Sequence, residues 1–165
     1  MADKASPRDF DELVGPWIEP GYRLAVTILA DPEEARDAVQ EAAVKAWRSL
    51  PRLRETRLAR SWFLSIVANQ CRSTMRRRWW RSRREVHDLS SEPLPEDTVV
   101  RSMDIERGMR RLSPDERAAL HLYFYLDLPV EEVGRVLGIS AGAARSRVYR
   151  AAHRLRPELT EEELA

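Results

Sequence analysis

The clearest alternation of apolar and polar positions lies between Val130 and Leu155. In PVEEVGRVLG, the residues Val130, Val133, Val136 and Leu137 fall on one side of a short helix that can start after Pro129. Gly138 ends it, Ile139 continues a tight turn, and Ser140 is placed to cap a second helix, AGAARSRVYRAAHRLR. There Ala144, Val148, Ala151 and Leu155 recur at spacings of four, three and four, which predicts a packing face. Arg145, Ser146 and Tyr149 project away from that face, while Arg147, Arg150 and Arg154 border it. A brace, a turn and a second helix set with cations is the layout of a helix-turn-helix, whose second helix lies in the major groove. A solvated basic helix in an ordinary bundle has the same periodicity. The turn, the cap and the arginines occurring together favour DNA.

The first half of the chain reads as helix nearly throughout. Phe10, Leu13, Val14 and Trp17 precede Pro20-Gly21, and Leu24, Ala25, Ile28 and Leu29 form a second apolar stretch. Asp31-Pro32 marks the next start, after which Ala35, Val39, Ala42, Ala43, Ala46 and Leu50 share a side and Glu34, Asp37, Gln40 and Glu41 are displayed elsewhere. Trp47 suits either that core or a protein interface, where Trp is enriched. Beyond Pro51-Arg52-Leu53-Arg54 a long helix is expected, with Phe63 and Ile66 as core residues and Trp62 either in the core or a wedge at an opened duplex. It runs into NQCRSTMRRRWWRSRR, where seven arginines lie between Arg72 and Arg84 with Trp79 and Trp80 among them. That composition neutralises phosphates while rings stack on exposed bases. Cationic amphipathic helices also lie on membranes, so a lipid surface is the alternative for this segment.

Charge divides the chain into segments that the overall value of +1 conceals. Residues 1–81 carry net +4, residues 82–101 net −2, residues 102–157 net +3 and residues 158–165 net −4. EVHDLSSEPLPEDTV, with two prolines and no periodicity, has linker composition. The expected fold is all-α: two small helical domains, 1–81 and 102–157, joined by a flexible acidic linker, 82–101, and followed by an acidic tail, 158–165. Domains of this size have modest cores, so docking or partner binding would contribute to their order.

Other chemistry finds little support. His87, His121 and His153 are far apart, Cys71 is single, and neither a Cys/His metal spacing nor a Gly-rich phosphate loop with lysine occurs. No enzyme, metal site or cofactor is expected, and Cys71 reads as a packing residue rather than a nucleophile. An adaptor protein would use carboxylate-rich helices, yet it would not account for two basic regions. Neither a spanning apolar run nor a signal peptide is visible, and a cytoplasmic location without membrane insertion is the expectation.

Taken together and in order, the segments resemble the sigma-70 family of bacterial transcription initiation factors, in particular its two-domain extracytoplasmic-function (ECF) group. DPEEARDAVQEAAVKAW is similar to the family's core-polymerase-binding helix, and ARSWFLSIVANQCRSTMRRR to its promoter-melting and minus-ten-recognition helix. LSPDERAALHLYFYLDLPVEEVGRVLGISAGAARSRVYRAAHRLR is similar to its minus-thirty-five-binding domain. The resemblance covers about Phe10 to Arg81 and Ile105 to Arg156.

The resemblance implies an alternative sigma factor that binds core RNA polymerase, recognises both promoter elements and promotes melting. Asp37, Gln40, Glu41 and Trp47 would engage the polymerase. Trp62, Asn69, Arg72, Arg76 and Arg77, with the loop around Leu50 to Ala59, would hold the non-template strand of the minus-ten element. Ser140, Arg145, Ser146, Arg147, Tyr149 and Arg150 would serve the minus-thirty-five duplex. An anti-sigma factor is a further implied partner. The sequence departs from the family at Ala42-Ala43-Val44 and at Ala143-Ala144-Arg145, so the promoter sequence does not carry over from a relative. A regulator that binds only duplex DNA through its helix-turn-helix is the closest alternative.

Overall fold

The computed structural model describes residues 7–84 and 100–155, and among these every regular element is helical. The first half contains α1 (Pro7–Leu13), α2 (Gly15–Leu29), α3 (Pro32–Ser49) and α4 (Ala59–Arg84), with two short 3-10 turns before α4. The second contains α5 (Val100–Arg111), α6 (Pro114–Leu120), α7 (Val130–Leu137) and α8 (Ala141–Leu155). Of the expected linker, 82–101, residues 82–84 instead continue α4 and residues 100–101 open α5, while residues 85–99 and the acidic tail lie outside the described residues.

Local chemistry sets the helix ends. Asp31 accepts hydrogen bonds at Oδ1 from the N–H groups of Glu33 (2.9 Å) and Glu34 (3.0 Å), and Pro32 opens α3 where its missing N–H costs nothing. Ser113 and Glu116 form a reciprocal capping box at the start of α6. Beyond Leu120 the helix widens into one π-turn, His121–Tyr125, closed by the Leu126 N–H on His121 O at 3.0 Å.

Pro20-Gly21, which separates two apolar stretches in the sequence, does not interrupt the helix: α2 runs through both residues. Gly21 is buried against Phe63 of α4, so the packing of these two helices favours continuity here over the local tendency of the pair to punctuate. Phe63 is fully buried as expected, and Ile66 and Trp62 are half-buried against the same core. Cys71 is also completely buried, and burial pushes its thiol up to about 12, which leaves it a packing residue with little thiolate.

The buried residues of both halves form one continuous cluster, from Val14 in the first to Ala151 in the second. The halves are docked through α2 against α6 and α4 against α7. Arg117 of α6 donates to the carbonyls of Thr27 (2.9 Å) and Ile28 (2.8 Å) in the last turn of α2. Arg60 pairs with Glu132 across α4 and α7. This docking is what brings the helix-turn-helix close to the long basic helix.

Candidate nucleic-acid interface

The helix-turn-helix forms as the pattern predicts. Gly138 takes a left-handed φ of 69° to end α7, and Ser140 Oγ accepts from the Ala143 N–H at 3.1 Å to start α8. Val133, Val136 and Leu137 are buried with Ala144, Val148 and Ala151. The turn also depends on Gly134, whose carbonyl accepts from the Ile139 N–H at 2.9 Å. A Cβ at position 134 would lie 2.7 Å from Ile139 O. Periodicity cannot reveal this position, because the constraint comes from a backbone crossing rather than from a face.

The cations of α8 differ in their freedom. Arg145 and Arg150 are exposed, with Ser146 and Tyr149 between them, and Tyr149 is 72% accessible. Arg147 is partly covered and lies 3.8 Å from Asp115, and Arg154 is ion-paired with Glu116 at 3.1 Å. The carboxyl of Glu116 is held below its ordinary range, chiefly by the Ser113 N–H, with Arg154 assisting. The hydroxyl of Ser140 is engaged as the cap that starts α8. Tyr149 and Arg145 also line a groove of 660 Å³ with Tyr123, Phe124, Val130 and Val148, an exposed apolar surface absent from the sequence expectation.

On α4 the arginines are distributed about the helix according to their spacing. Arg72 is partly covered: it donates to Asn69 Oδ1 and to Leu137 O of α7, each at 2.9 Å, and lies 3.6 Å from Asp115. Arg76 and Arg77 are exposed; Arg77 approaches Glu41 at 4.0 Å, and no carboxylate among the described residues pairs with Arg76. Arg78 is ion-paired with Glu34 and reaches Leu29 O. Thus Asn69, Arg72, Arg76 and Arg77 are brought together along one helix, with Trp62 about two turns before Asn69.

The expected polymerase face lies on α3. Asp37, Gln40 and Glu41 are exposed, and Glu41 accepts from Gln70 of α4, whose own oxygen takes the Lys45 ammonium. Trp47 is 42% exposed with its ring edge against Phe10 at 5.5 Å, which places it at the surface rather than in the core. Val44, absent from the expected set, is an exposed aliphatic beside them. Its spacing of four from Gln40 and three from Glu41 is the signal that marks it.

Among the described residues no group of His, Cys, Asp and Glu could hold a metal ion, and no helix is long and apolar enough to cross a membrane. A helix-turn-helix docked on a second cationic helix, with an acidic face alongside, defines a two-part DNA-binding transcription factor. Residues 13–81 match the family Sigma-70 region 2, and residues 108–157 match Sigma-70, region 4. The RNA polymerase sigma-E factor of Streptomyces avermitilis is 30% identical over 166 residues, an alignment covering 94% of this chain and 88% of that protein. The chain belongs to the sigma-70 family, in its ECF group, and is a promoter-recognising alternative sigma factor. The ECF RNA polymerase sigma factor SigM of Mycobacterium tuberculosis is 29% identical, with 88% of this chain and 74% of that one covered. The sigma factor RpoE of Bartonella quintana, solved with the anti-sigma factor NepR, shares the fold with a TM-score of 0.77 at 23% identity. That match covers 93% of this chain and 98% of that one.

Proposed function

We propose that α3, through Asp37, Gln40, Glu41 and Trp47, holds core RNA polymerase, while α4 and α8 divide the promoter between them. Arg145, Ser146, Arg147, Tyr149 and Arg150 meet the minus-thirty-five duplex, aimed by the Ser140 cap. Trp62, Asn69, Arg72, Arg76 and Arg77 hold the non-template strand of the minus-ten element. The functional units are 1–81 and 102–157, with 82–101 as connector and 158–165 as an acidic tail. The observation that carries this division is the pair of cationic helices on separate halves of the chain, one led by a helix-turn-helix and one not. The protein performs no covalent chemistry: opening follows from binding the unpaired strand better than the duplex. It acts in the cytoplasm, where polymerase and promoter are found.

Arg72 is engaged by Leu137 and Asp115 in the docked arrangement, so use of Arg72 on DNA requires the halves to part. An anti-sigma factor, the kind of partner seen with RpoE, would act by holding them in a non-productive arrangement. The test is promoter opening by core polymerase with and without the protein, read by single-strand-specific footprinting. Protein-dependent opening is expected. Duplex binding without polymerase recruitment or opening would instead identify a helix-turn-helix regulator. Replacing Arg145 and Arg147 should weaken upstream duplex binding, by about 1–3 kcal/mol for each guanidinium that grips a base edge through two hydrogen bonds.

A further inference from the structure

Trp79 and Trp80 stand on the last turns of α4, 51% and 57% exposed, with no role in the core. Two large aromatic surfaces left in water beside each other call for a covering partner. Their surroundings restrict its chemistry. Arg83 lies over the Trp79 ring at 4.5 Å, and the Trp80 ring meets Trp79 edge-on, with centroids 5.0 Å apart and planes at 80°. Among the described residues no carboxylate pairs with Arg76, Arg83 or Arg84.

The position on the helix is also informative. From Trp62, the residues Asn69, Arg72, Arg76, Trp79 and Arg83 follow at steps of seven, three, four, three and four, which keeps all six on one side of α4. This stripe is about 30 Å long at 1.5 Å per residue. The docked second half covers it at Arg72, through Leu137 and Asp115, and leaves the turns beyond Arg76 open. The surface around Trp79 therefore continues the proposed strand-binding face and is accessible before the halves separate.

We propose that Trp79, held by Arg83 and the edge of Trp80, is a stacking platform for an unpaired base, so that the single-strand track of α4 extends about two turns past Arg76. The proposal rests on the reading of α4 as the strand-holding helix. An indole face can stack on a base of any identity once that base leaves the duplex, and the adjoining guanidinium groups supply phosphate contacts. A lipid surface fits less well, because the apolar side of α4 is taken up by Phe63, Leu64, Val67 and Cys71 in the core.

The experiment compares full-length wild type with Trp79→Ala, Trp79→Tyr and Arg83→Gln. Each is measured for affinity to a short oligothymidylate and, with core polymerase, for quenching of 2-aminopurine scanned through the non-template strand of a promoter. Trp79→Ala should lower oligothymidylate affinity by about 5- to 150-fold and abolish quenching at one position. Trp79→Tyr should recover most of both, Arg83→Gln should weaken binding and its salt dependence, and affinity for the upstream duplex should not change.

Several outcomes overturn the platform. Oligothymidylate binding equal in wild type and Trp79→Ala does so, as does its absence from both the wild-type protein and its holoenzyme. A defect confined to core-polymerase affinity identifies a protein contact, and one confined to phosphatidylglycerol vesicles identifies a lipid contact. If wild type opens promoters and Trp79→Ala matches it at every 2-aminopurine position, the platform alone fails. If wild type opens none, the strand-holding reading fails.

Discussion

The carboxylate of Glu132, on the bracing helix α7, receives two hydrogen bonds from the guanidinium of Arg60 at the start of α4. Nη2 reaches Oε1 at 2.8 Å and Nε reaches Oε2 at 3.2 Å. The fork joins residues 72 positions apart in sequence, and both side chains are partly screened from water. Breaking it by Glu132→Lys should weaken docking by about 1–2 kcal/mol, between the value of an exposed pair and that of a buried charge-assisted bond. Small-angle X-ray scattering should show an increased radius of gyration for Glu132→Lys and a return toward wild type on adding Arg60→Glu. Identical scattering from wild type and the single variant would remove the pair as a clasp.

Arg117 should be the stronger anchor. Its guanidinium donates to Thr27 O, Ile28 O and Leu112 O at 2.8–2.9 Å, two of these being carbonyls in the last turn of α2 that lack helical partners. The negative end of the α2 dipole adds to the attraction. Burial pulls the pKa of this arginine down from its ordinary value, yet the group remains a cation at any physiological pH. Arg117→Met should lower stability by roughly 2–3 kcal/mol in urea unfolding, because it leaves charge-assisted bonds unmade and carbonyls covered. Arg117→Lys should recover only part, since one ammonium cannot reproduce a three-carbonyl fork. Full recovery by lysine would show that charge alone is required.

The difference between what the sequence reveals and what it conceals follows the range of each interaction. Gly138, the Ser140 cap and the Ala144, Val148, Ala151 face are local signals, and the helix-turn-helix built from them is legible residue by residue. The docking of the halves is not, because Arg117 with Ile28, Arg60 with Glu132 and Arg72 with Leu137 join positions 65 to 89 apart. A sequence window sees each of these arginines as one more surface cation. The same limit applies to Pro20-Gly21, where packing against Phe63 accompanies a continuous helix despite the local punctuation. At the candidate site, spacing finds the row from Asn69 to Arg77 but not which cations are engaged: Arg72 is partly covered and Arg76 exposed although one helical turn separates them.

His121 should make stability depend on pH. Its Nδ1 lies 3.1 Å from Thr27 Oγ1, whose proton is already directed at Arg23 O, so the ring nitrogen is the donor. The other nitrogen, Nε2, is buried without a hydrogen-bond partner. Burial first, and Arg23 second, bring the pKa down from 6.5 to about 4. Between those values the unfolded chain binds more protons than the folded one, so stability falls as pH drops from about 6.5 toward 4 and is unaffected by this residue above that window. The loss is on the order of 2–3 kcal/mol at the acidic limit. Melting temperatures followed from neutral to acidic pH should diverge between wild type and His121→Asn, which keeps a donor for Thr27 but cannot titrate. Parallel curves would clear His121 of the effect.

Two glycines of the helix-turn-helix should respond in opposite directions to the same substitution. At Gly134 an added Cβ meets Ile139 O at 2.7 Å and Ala141 N at 3.3 Å, and these are backbone atoms that no rotamer change can remove. Gly134→Ala must therefore push α7 away from the start of α8, at a cost of about 1–3 kcal/mol typical of overpacking. The Ile139 N–H bond to Gly134 O would lengthen with it, and α8 would leave the angle that its core face and cap define. At Gly142, in the first turn of α8, nothing lies within 4 Å of the same added atom. There alanine should stabilise by up to about 1 kcal/mol through helix propensity alone. Urea unfolding should order the proteins as Gly142→Ala, wild type and Gly134→Ala. Binding of promoter duplex by the holoenzyme should be lost in Gly134→Ala under conditions where that variant is still folded. Wild-type stability and binding in Gly134→Ala would mean that the turn can open without moving α8, contrary to the close backbone crossing between α7 and the start of α8.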